Sequence, residues 1–378
     1  MIPFNKPHLT GKEQVNIAQV MANRKFSGDG EFTRKCHDWF EKRYGFKKAL
    51  LTTSCTDALE MCAILLNIKP GDEVILPSYT FVSTANAFEL RGATIRFADS
   101  MTNNPNVDAE QIAKLITPRT KAIVVVHYAG IACDMDRIMS LSKEHDIPVV
   151  EDAAQAIESF YRGRPLGTFG ALAAFSFHET KNVICGEGGL LAINDSSLIK
   201  RAEIIREKGT NRSSFFRGEV DKYGWVDIGS SFLPSEILAA FLYAQLESIE
   251  QIQKERNRVW QRYRANFIAA ELPNDVQLPF ISGDATNNSH MFYLVLPSLE
   301  TRTKVISVLK ENDILAVFHY LSLHSSPYFA GKHDGRILEN CDRYMDCLVR
   351  LPFYPELLDE QVDLICSLVI STIRKKMN

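Results

Sequence analysis

Between residues 49 and 193 the chain alternates short apolar runs with helix-like stretches. The runs are Ala49–Thr52, Glu73–Pro77, Thr94–Asp99, Lys121–Val126, Ile147–Asp152, Ala173–Phe177 and Gly189–Ile193. Short runs rich in β-branched residues, separated by helical patterns, predict an α/β fold with a mostly parallel seven-stranded sheet. The punctuation agrees, because Lys69-Pro70-Gly71-Asp72 and Arg91-Gly92-Ala93 each place a turn just before a strand.

Further on the period changes. Apolar positions at Ile237, Leu238, Phe241, Leu242, Leu246, Ile249 and Val259 predict one long helix over 235–266. Beyond it, strand-like runs at 290–297 and 314–320 flank a charged helix near 302–312. The expected organisation is a large α/β domain over 13–245 and a smaller α+β domain over 246–378 that also takes in residues 1–12.

Composition narrows the function classes. The 378 residues carry 43 basic and 46 acidic side chains, a net charge of −3, so no general field attracts nucleic acid or an anionic membrane, and neither is expected as a partner. The N-terminal stretch lacks the apolar run of a signal peptide, and no uncharged apolar stretch reaches the roughly 18 residues of a membrane span, which points to the cytoplasm. The eight cysteines and nine histidines show no CxxC, HExxH or other metal-ligand spacing. Reduced thiols and no metal are expected.

In open parallel sheets ligands sit beyond the carboxyl ends of the strands. Asp152 ends one run, and Lys181 lies in the loop after another. Pyridoxal phosphate (PLP) chemistry needs such a pair: a lysine that holds an aldehyde as an imine, and a carboxylate that keeps a pyridine nitrogen protonated. Taken singly, Asp152 reads equally well as a helix N-cap, and a lone loop lysine such as Lys181 is more often a solvated surface residue. Ser54-Cys55-Thr56, between a strand and an apolar helix, suits an anion at a helix N-terminus or an ordinary cap. Ser176 can add a hydroxyl, Phe81 can cover a ring or fill the core, and Gly186-Glu187-Gly188-Gly189 fits a tight turn.

Together and in this order, these segments resemble the fold-type I PLP-dependent sugar aminotransferases of the DegT/DnrJ/EryC/StrS family over essentially the whole chain. The family's SGTxAL resembles Ser54–Leu59, its EDAAQ resembles Glu151–Gln155, and its SFxxxK with GEGG resembles Ser176–Lys181 and Gly186–Gly189. The resemblance implies PLP as cofactor, with Lys181 as the Schiff-base lysine and Asp152 on the pyridine nitrogen. It also implies Gln155 near the ring hydroxyl, Phe81 stacked on the ring, and Ser54, Cys55, Thr56 and Ser176 at the phosphate. A homodimer with shared active sites is implied as well. Two departures stand out: Cys55 replaces the usual Gly, and Ser231 replaces the Asn that reaches the partner's cofactor phosphate.

Stretches such as PSYTFVSTANAF and FSFHETKN resemble a branch that aminates C4 of dTDP-4-keto-6-deoxyglucose with L-glutamate as donor and an axial outcome. Relatives that aminate C3, or C4 equatorially, share the same catalytic residues. His178, and His319, Tyr320 and His324 in a stretch resembling HYxPLH, are expected to position the substrate. Each histidine is equally readable as a structural hydrogen bonder. The basic loop holding Lys208, Arg212 and Arg217 suits a nucleotide diphosphate or a solvated surface. A catalytically silent binding protein on the same scaffold is the reading from another class.

Overall fold

The computed structural model describes residues 1–377. All seven apolar runs are strands of one sheet: β1 (Lys48–Thr52), β2 (Glu73–Pro77), β3 (Thr94–Ala98), β4 (Thr120–Val126), β5 (Val149–Asp152), β6 (Leu172–Ser176) and β7 (Gly189–Ile193). Their order is β1-β7-β6-β5-β4-β2-β3. Pairing is parallel from β6 through β3, whereas β7 runs antiparallel to both β6 and β1. β7 is thus the one reversed strand, and its first residue meets the carboxyl ends of its neighbours.

Both faces of the sheet are buried, which is why the runs read as nearly continuous. Ala122, Val124, Val150, Leu172, Ala174, Leu191 and Ile193 feed one apolar cluster, and their alternates Ile123, Val125, Val149, Ala173, Leu190 and Ala192 feed another. The same alternation sends Asp152 and Glu151 to opposite faces. The Glu151 carboxylate accepts from the backbone N–H of Gly167, Phe169 and Gly170, each at 2.7 Å, and lies 3.0 Å from His127 Nε2. His127 Nδ1 accepts from Cys133 N–H at 3.3 Å, so Nε2 carries the proton given to Glu151.

A third cluster gathers Val259, Trp260, Tyr263 and Phe267 with Val305, Leu309, Phe292, Val349 and Val362. Ile2 joins it, held by Ile2 N–H to Asp313 O and Leu315 N–H to Ile2 O. Here β8 (Tyr293–Val295) pairs antiparallel with β9 (Leu348–Arg350), setting Tyr293 opposite Arg350.

Two expectations need correction. The long helix is two, Glu236–Glu247 and Ile249–Ala269, broken at Ser248, where ψ opens to 11° with no glycine or proline to announce it. The run at 314–320 makes only isolated bridges, through Ile314 and Val317, because its partners are the chain start and the end of β9 rather than a continuous strand. Among the described residues no helix is long and apolar enough to cross a membrane.

Candidate active site

The carboxyl ends of the strands open into a cavity of about 460 Å³. Its first wall comes from the turn after β1. Ser54 caps the helix Cys55–Leu65, its Oγ accepting from Asp57 N–H at 3.0 Å. The cap and the anion site are compatible, since the first N–H groups of a helix have no preceding turn to bond. Hydroxyls cluster there: Thr56 Oγ1 lies 2.8 Å from Ser83 Oγ, and Ser54 and Ser176 line the same end of the cavity. The start of β7 packs so tightly on this turn that a Cβ on Gly189 would sit 2.4 Å from the Ser54 carbonyl carbon and oxygen. Gly186, at φ 86°, gives the left-handed bend that brings the chain there.

The second wall is Asp152. No helix follows it, so the N-cap reading fails: residues 153–159 form turns, and the carboxylate faces the cavity. Its Oδ2 accepts from Thr84 Oγ1 at 2.7 Å and its Oδ1 from Ala154 N–H at 3.2 Å, with Thr80 Oγ1 2.9 Å behind Thr84. Burial pushes the carboxyl pKa up, and these two bonds and the nearby Lys181 pull against it.

Lys181 enters from the loop between β6 and β7, whose feet are fixed because Ser176 and Gly189 face each other in the ladder. Its N–H bonds to His178 O at 2.9 Å. Desolvation pushes the ammonium pKa down from its usual value, against the pull of Asp152. That is the direction a lysine needs to act as a base.

Gln155 closes the floor. Its Oε1 accepts from Ala129 N–H at 2.6 Å and its Nε2 donates to Tyr320 OH at 2.9 Å. His319 Nδ1 is 2.6 Å from Tyr128 OH, and burial holds its imidazole well below the usual pKa, so it stays neutral. Phe81, 55% exposed, lies across the mouth with its ring 6.3 Å from that of Tyr320. Cys55 also lines the cavity, its thiol pushed well up by burial. His178 sits at the rim, bonded to Thr180 Oγ1 at 2.9 Å.

The remaining expected residues lie elsewhere. His324 is buried beside the cavity wall, its Nδ1 2.8 Å from Ser78 Oγ, and does not line the cavity. Lys208, Arg212 and Ser231 are exposed on the outside, Arg212 lying over Phe216. Arg217 is engaged by Glu203 and Glu219. Sequence reasoning missed Thr84, His290, Arg350 and the N-terminal pair Phe4 and Asn5. A charged residue inside the apolar run Leu348–Leu351 was the available signal for Arg350. A larger open groove of about 750 Å³ near Trp39 and Arg43 contains none of this chemistry.

A PLP molecule suits this donor set: hydroxyls and free N–H groups at a helix N-terminus for the phosphate, a buried carboxylate for the pyridinium, and a desolvated lysine for the aldehyde. Comparison with known proteins agrees. The spore coat polysaccharide biosynthesis protein SpsC of Bacillus subtilis (strain 168) is 32% identical over 371 residues, which cover 96% of this chain and 94% of SpsC. The aminotransferase TlmJ from Streptoalloteichus hindustanus superposes with a TM-score of 0.91 at 26% identity, covering 100% of both chains. Spr1654 from Streptococcus pneumoniae in its PLP form gives 0.89 at 25% identity, covering 99% of each.

Fold and site thus define a PLP-dependent aminotransferase. Residues 7–370 match the DegT/DnrJ/EryC1/StrS aminotransferase family, and the chain belongs to it, as its motifs led us to expect.

Proposed function

We propose that the protein transfers the amino group of L-glutamate to C4 of dTDP-4-keto-6-deoxy-D-glucose, giving dTDP-4-amino-4,6-dideoxy-D-galactose and 2-oxoglutarate, as a cytoplasmic homodimer. The observation that carries the transaminase part is the convergence of Lys181, Asp152 and the hydroxyl-lined helix start in one cavity. The sugar part is supported by the branch-like sequence stretches and by the polysaccharide role of SpsC.

Bound PLP supplies the aldehyde carbon that carries nitrogen between substrates and a ring that takes up electrons released at the donor's Cα. Lys181 would hold that aldehyde between turnovers. Once displaced, its Nζ removes the proton from the donor's Cα and later returns one to the sugar C4. Asp152, held by Thr84 and Ala154, keeps the proton on the pyridine nitrogen. Gln155 and Tyr320, already bonded to one another, would hold the ring edge, and Phe81 would cover its face. Ser54, Cys55, Thr56 and Ser176 take the phosphate.

His178, His319 and Tyr320 orient the sugar, and His324 steadies that wall through Ser78. Ser231, Lys208 and Arg212 serve the partner's site across a two-fold interface. The apolar exposure around them supports this, with Trp225 85% and Phe216 69% exposed.

The test is incubation with PLP, L-glutamate and dTDP-4-keto-6-deoxyglucose, with product identification by mass and NMR and Lys181→Ala as control. A 4-amino-4,6-dideoxygalactose product that disappears in the variant supports the reading. A 3-amino or gluco-configured product overturns the substrate assignment.

A further inference from the structure

Residues 288–290 are clamped at the edge of the cavity. Asn288 Nδ2 donates to the carbonyls of Gln155 and Ile157, each at 2.7 Å, and the buried guanidinium of Arg256 donates to Ser289 O at 3.0 Å and His290 O at 2.6 Å. Ser289 takes a left-handed φ of 53° to make the bend, an uncommon conformation for a serine. His290, 7% exposed, is thereby carried into the cavity lining.

Its ring is set as firmly as its backbone. Asn182, the residue after Lys181, turns one end of its amide to Asn288 O at 2.8 Å and Gln253 Oε1 at 2.9 Å. A carbonyl only accepts, so that end is the nitrogen, and the end 2.8 Å from His290 Nδ1 is the oxygen. Nδ1 therefore carries the ring proton. Burial, helped by the charges of Lys181, Arg256 and Arg350, holds the imidazole well below its usual pKa, so the ring is neutral and Nε2 keeps its lone pair. That nitrogen has no hydrogen-bond partner among the described residues and is not sealed off by them.

The chemistry of the occupants decides what meets this lone pair. A cofactor phosphate and the carboxylates of an amino donor can only accept, so the lone pair repels them. The pyridine N–H belongs to Asp152 in the proposed arrangement, and the donor's amino group is consumed in bonding to the cofactor. What remains is a hydroxyl. We propose that His290 is a specificity-determining residue that accepts, at Nε2, a hydrogen bond from a hydroxyl of the sugar ketone, with Asn182 as the positioning residue that fixes its tautomer. The inference rests on the sugar aminotransferase reading and deepens it. A buried acceptor placed for a hydroxyl rejects analogues that lack one, because the acceptor is then left unpaired. Asn182 follows Lys181 directly, so the group that reads the sugar and the lysine that reacts share one support.

The experiment follows the two half-reactions of the holoenzyme separately by cofactor absorbance, in wild type, His290→Asn and His290→Gln. Asparagine keeps a donor for Asn182 Oδ1 and removes the group at the Nε2 position, whereas glutamine keeps an acceptor at that reach. In His290→Asn the dTDP-4-keto-6-deoxyglucose concentration for half-maximal rate rises about three- to tenfold, the loss of one neutral hydrogen bond, while the L-glutamate concentration does not rise in step. His290→Gln recovers part of the loss. Of two analogues of the sugar ketone, one lacking the C2 hydroxyl and one the C3 hydroxyl, one is poorer in wild type by a similar factor, and that penalty disappears in His290→Asn. Equal defects in the two half-reactions, no penalty for either analogue, or a penalty that persists in His290→Asn overturns the proposal; the first assigns Nε2 to Lys181 instead. A wild type that aminates a different hydroxylated ketone, with the same hydroxyl dependence lost in His290→Asn, sinks the substrate assignment and leaves this inference standing. One that aminates no hydroxylated ketone overturns both.

Discussion

Thr84 Oγ1 donates to Asp152 Oδ2 at 2.7 Å, and its own oxygen faces Thr80 Oγ1 at 2.9 Å. A buried carboxylate otherwise drifts toward its neutral form, so this hydroxyl is part of what keeps Asp152 charged, as its proposed place opposite the cofactor nitrogen requires. A hydrogen bond to a charged acceptor contributes about 1.5–3 kcal/mol. Thr84→Val should therefore weaken PLP binding by about tenfold or more, with Thr84→Ser restoring most of it, as read by absorbance titration of the cofactor-free protein.

On the opposite face of β5, Glu151 gathers three backbone N–H groups and His127. In Glu151→Gln an amide N–H₂ must face donors in place of one oxygen. Breaking a buried charged network of this kind costs about 3–5 kcal/mol. Urea unfolding should show that loss, and PLP affinity should fall with it, because Asp152 is the next residue on the same strand.

Gly189 sits where no Cβ has room, 2.4 Å from the Ser54 carbonyl. Gly189→Ala must push β7 and the phosphate turn apart, an overpacking cost of about 1–3 kcal/mol. Thermal unfolding should register it, and the purified variant should carry a smaller fraction of bound PLP than wild type.

Lys181 gives a pH signature in the cofactor-free protein. Its pKa in the folded chain is below the usual lysine value of 10.5, so folding disfavours the bound proton. Stability is full above 10.5 and is lost as pH falls through the lowered folded value. Lys181→Met has no such loss. Its unfolding temperature should exceed that of wild type at neutral pH, and the gap should close as pH is raised toward 10.5. A gap that stays constant with pH would show that methionine merely packs better.

The sheet was legible because each strand is buried on both faces and so writes a compact apolar run. The convergence of Ser54, Asp152 and Lys181 in one cavity was legible for a related reason. Ser54, Asp152 and Lys181 each follow a strand directly, and the fold brings strand ends together. Thr84 and Arg350 left no such mark. Thr84 acts through Asp152, distant in sequence, and Arg350 reaches the cavity only because β9 packs against β8 and the large-sheet cluster. In the basic loop at 208–217 composition does not show that Arg217 is engaged by Glu203 and Glu219 while Lys208 and Arg212 stay exposed. The helix break at Ser248 was invisible because the apolar period runs on through Leu246 and Ile249.

The cavity is lined both by the large sheet and by segments outside it. Lys181, Asp152 and Ser54 ride on the large sheet, Lys181 in a loop clamped at Ser176 and Gly189. Much of the facing wall, with Phe4, His290, His319, Tyr320 and Arg350, comes from segments outside that sheet. Substitutions on that wall can therefore change what the cavity accepts without moving the strands that carry Asp152 and the Lys181 loop. Such a division lets one scaffold diversify over evolutionary time, with new acceptors explored on the second wall while Lys181 and Asp152 stay where they are.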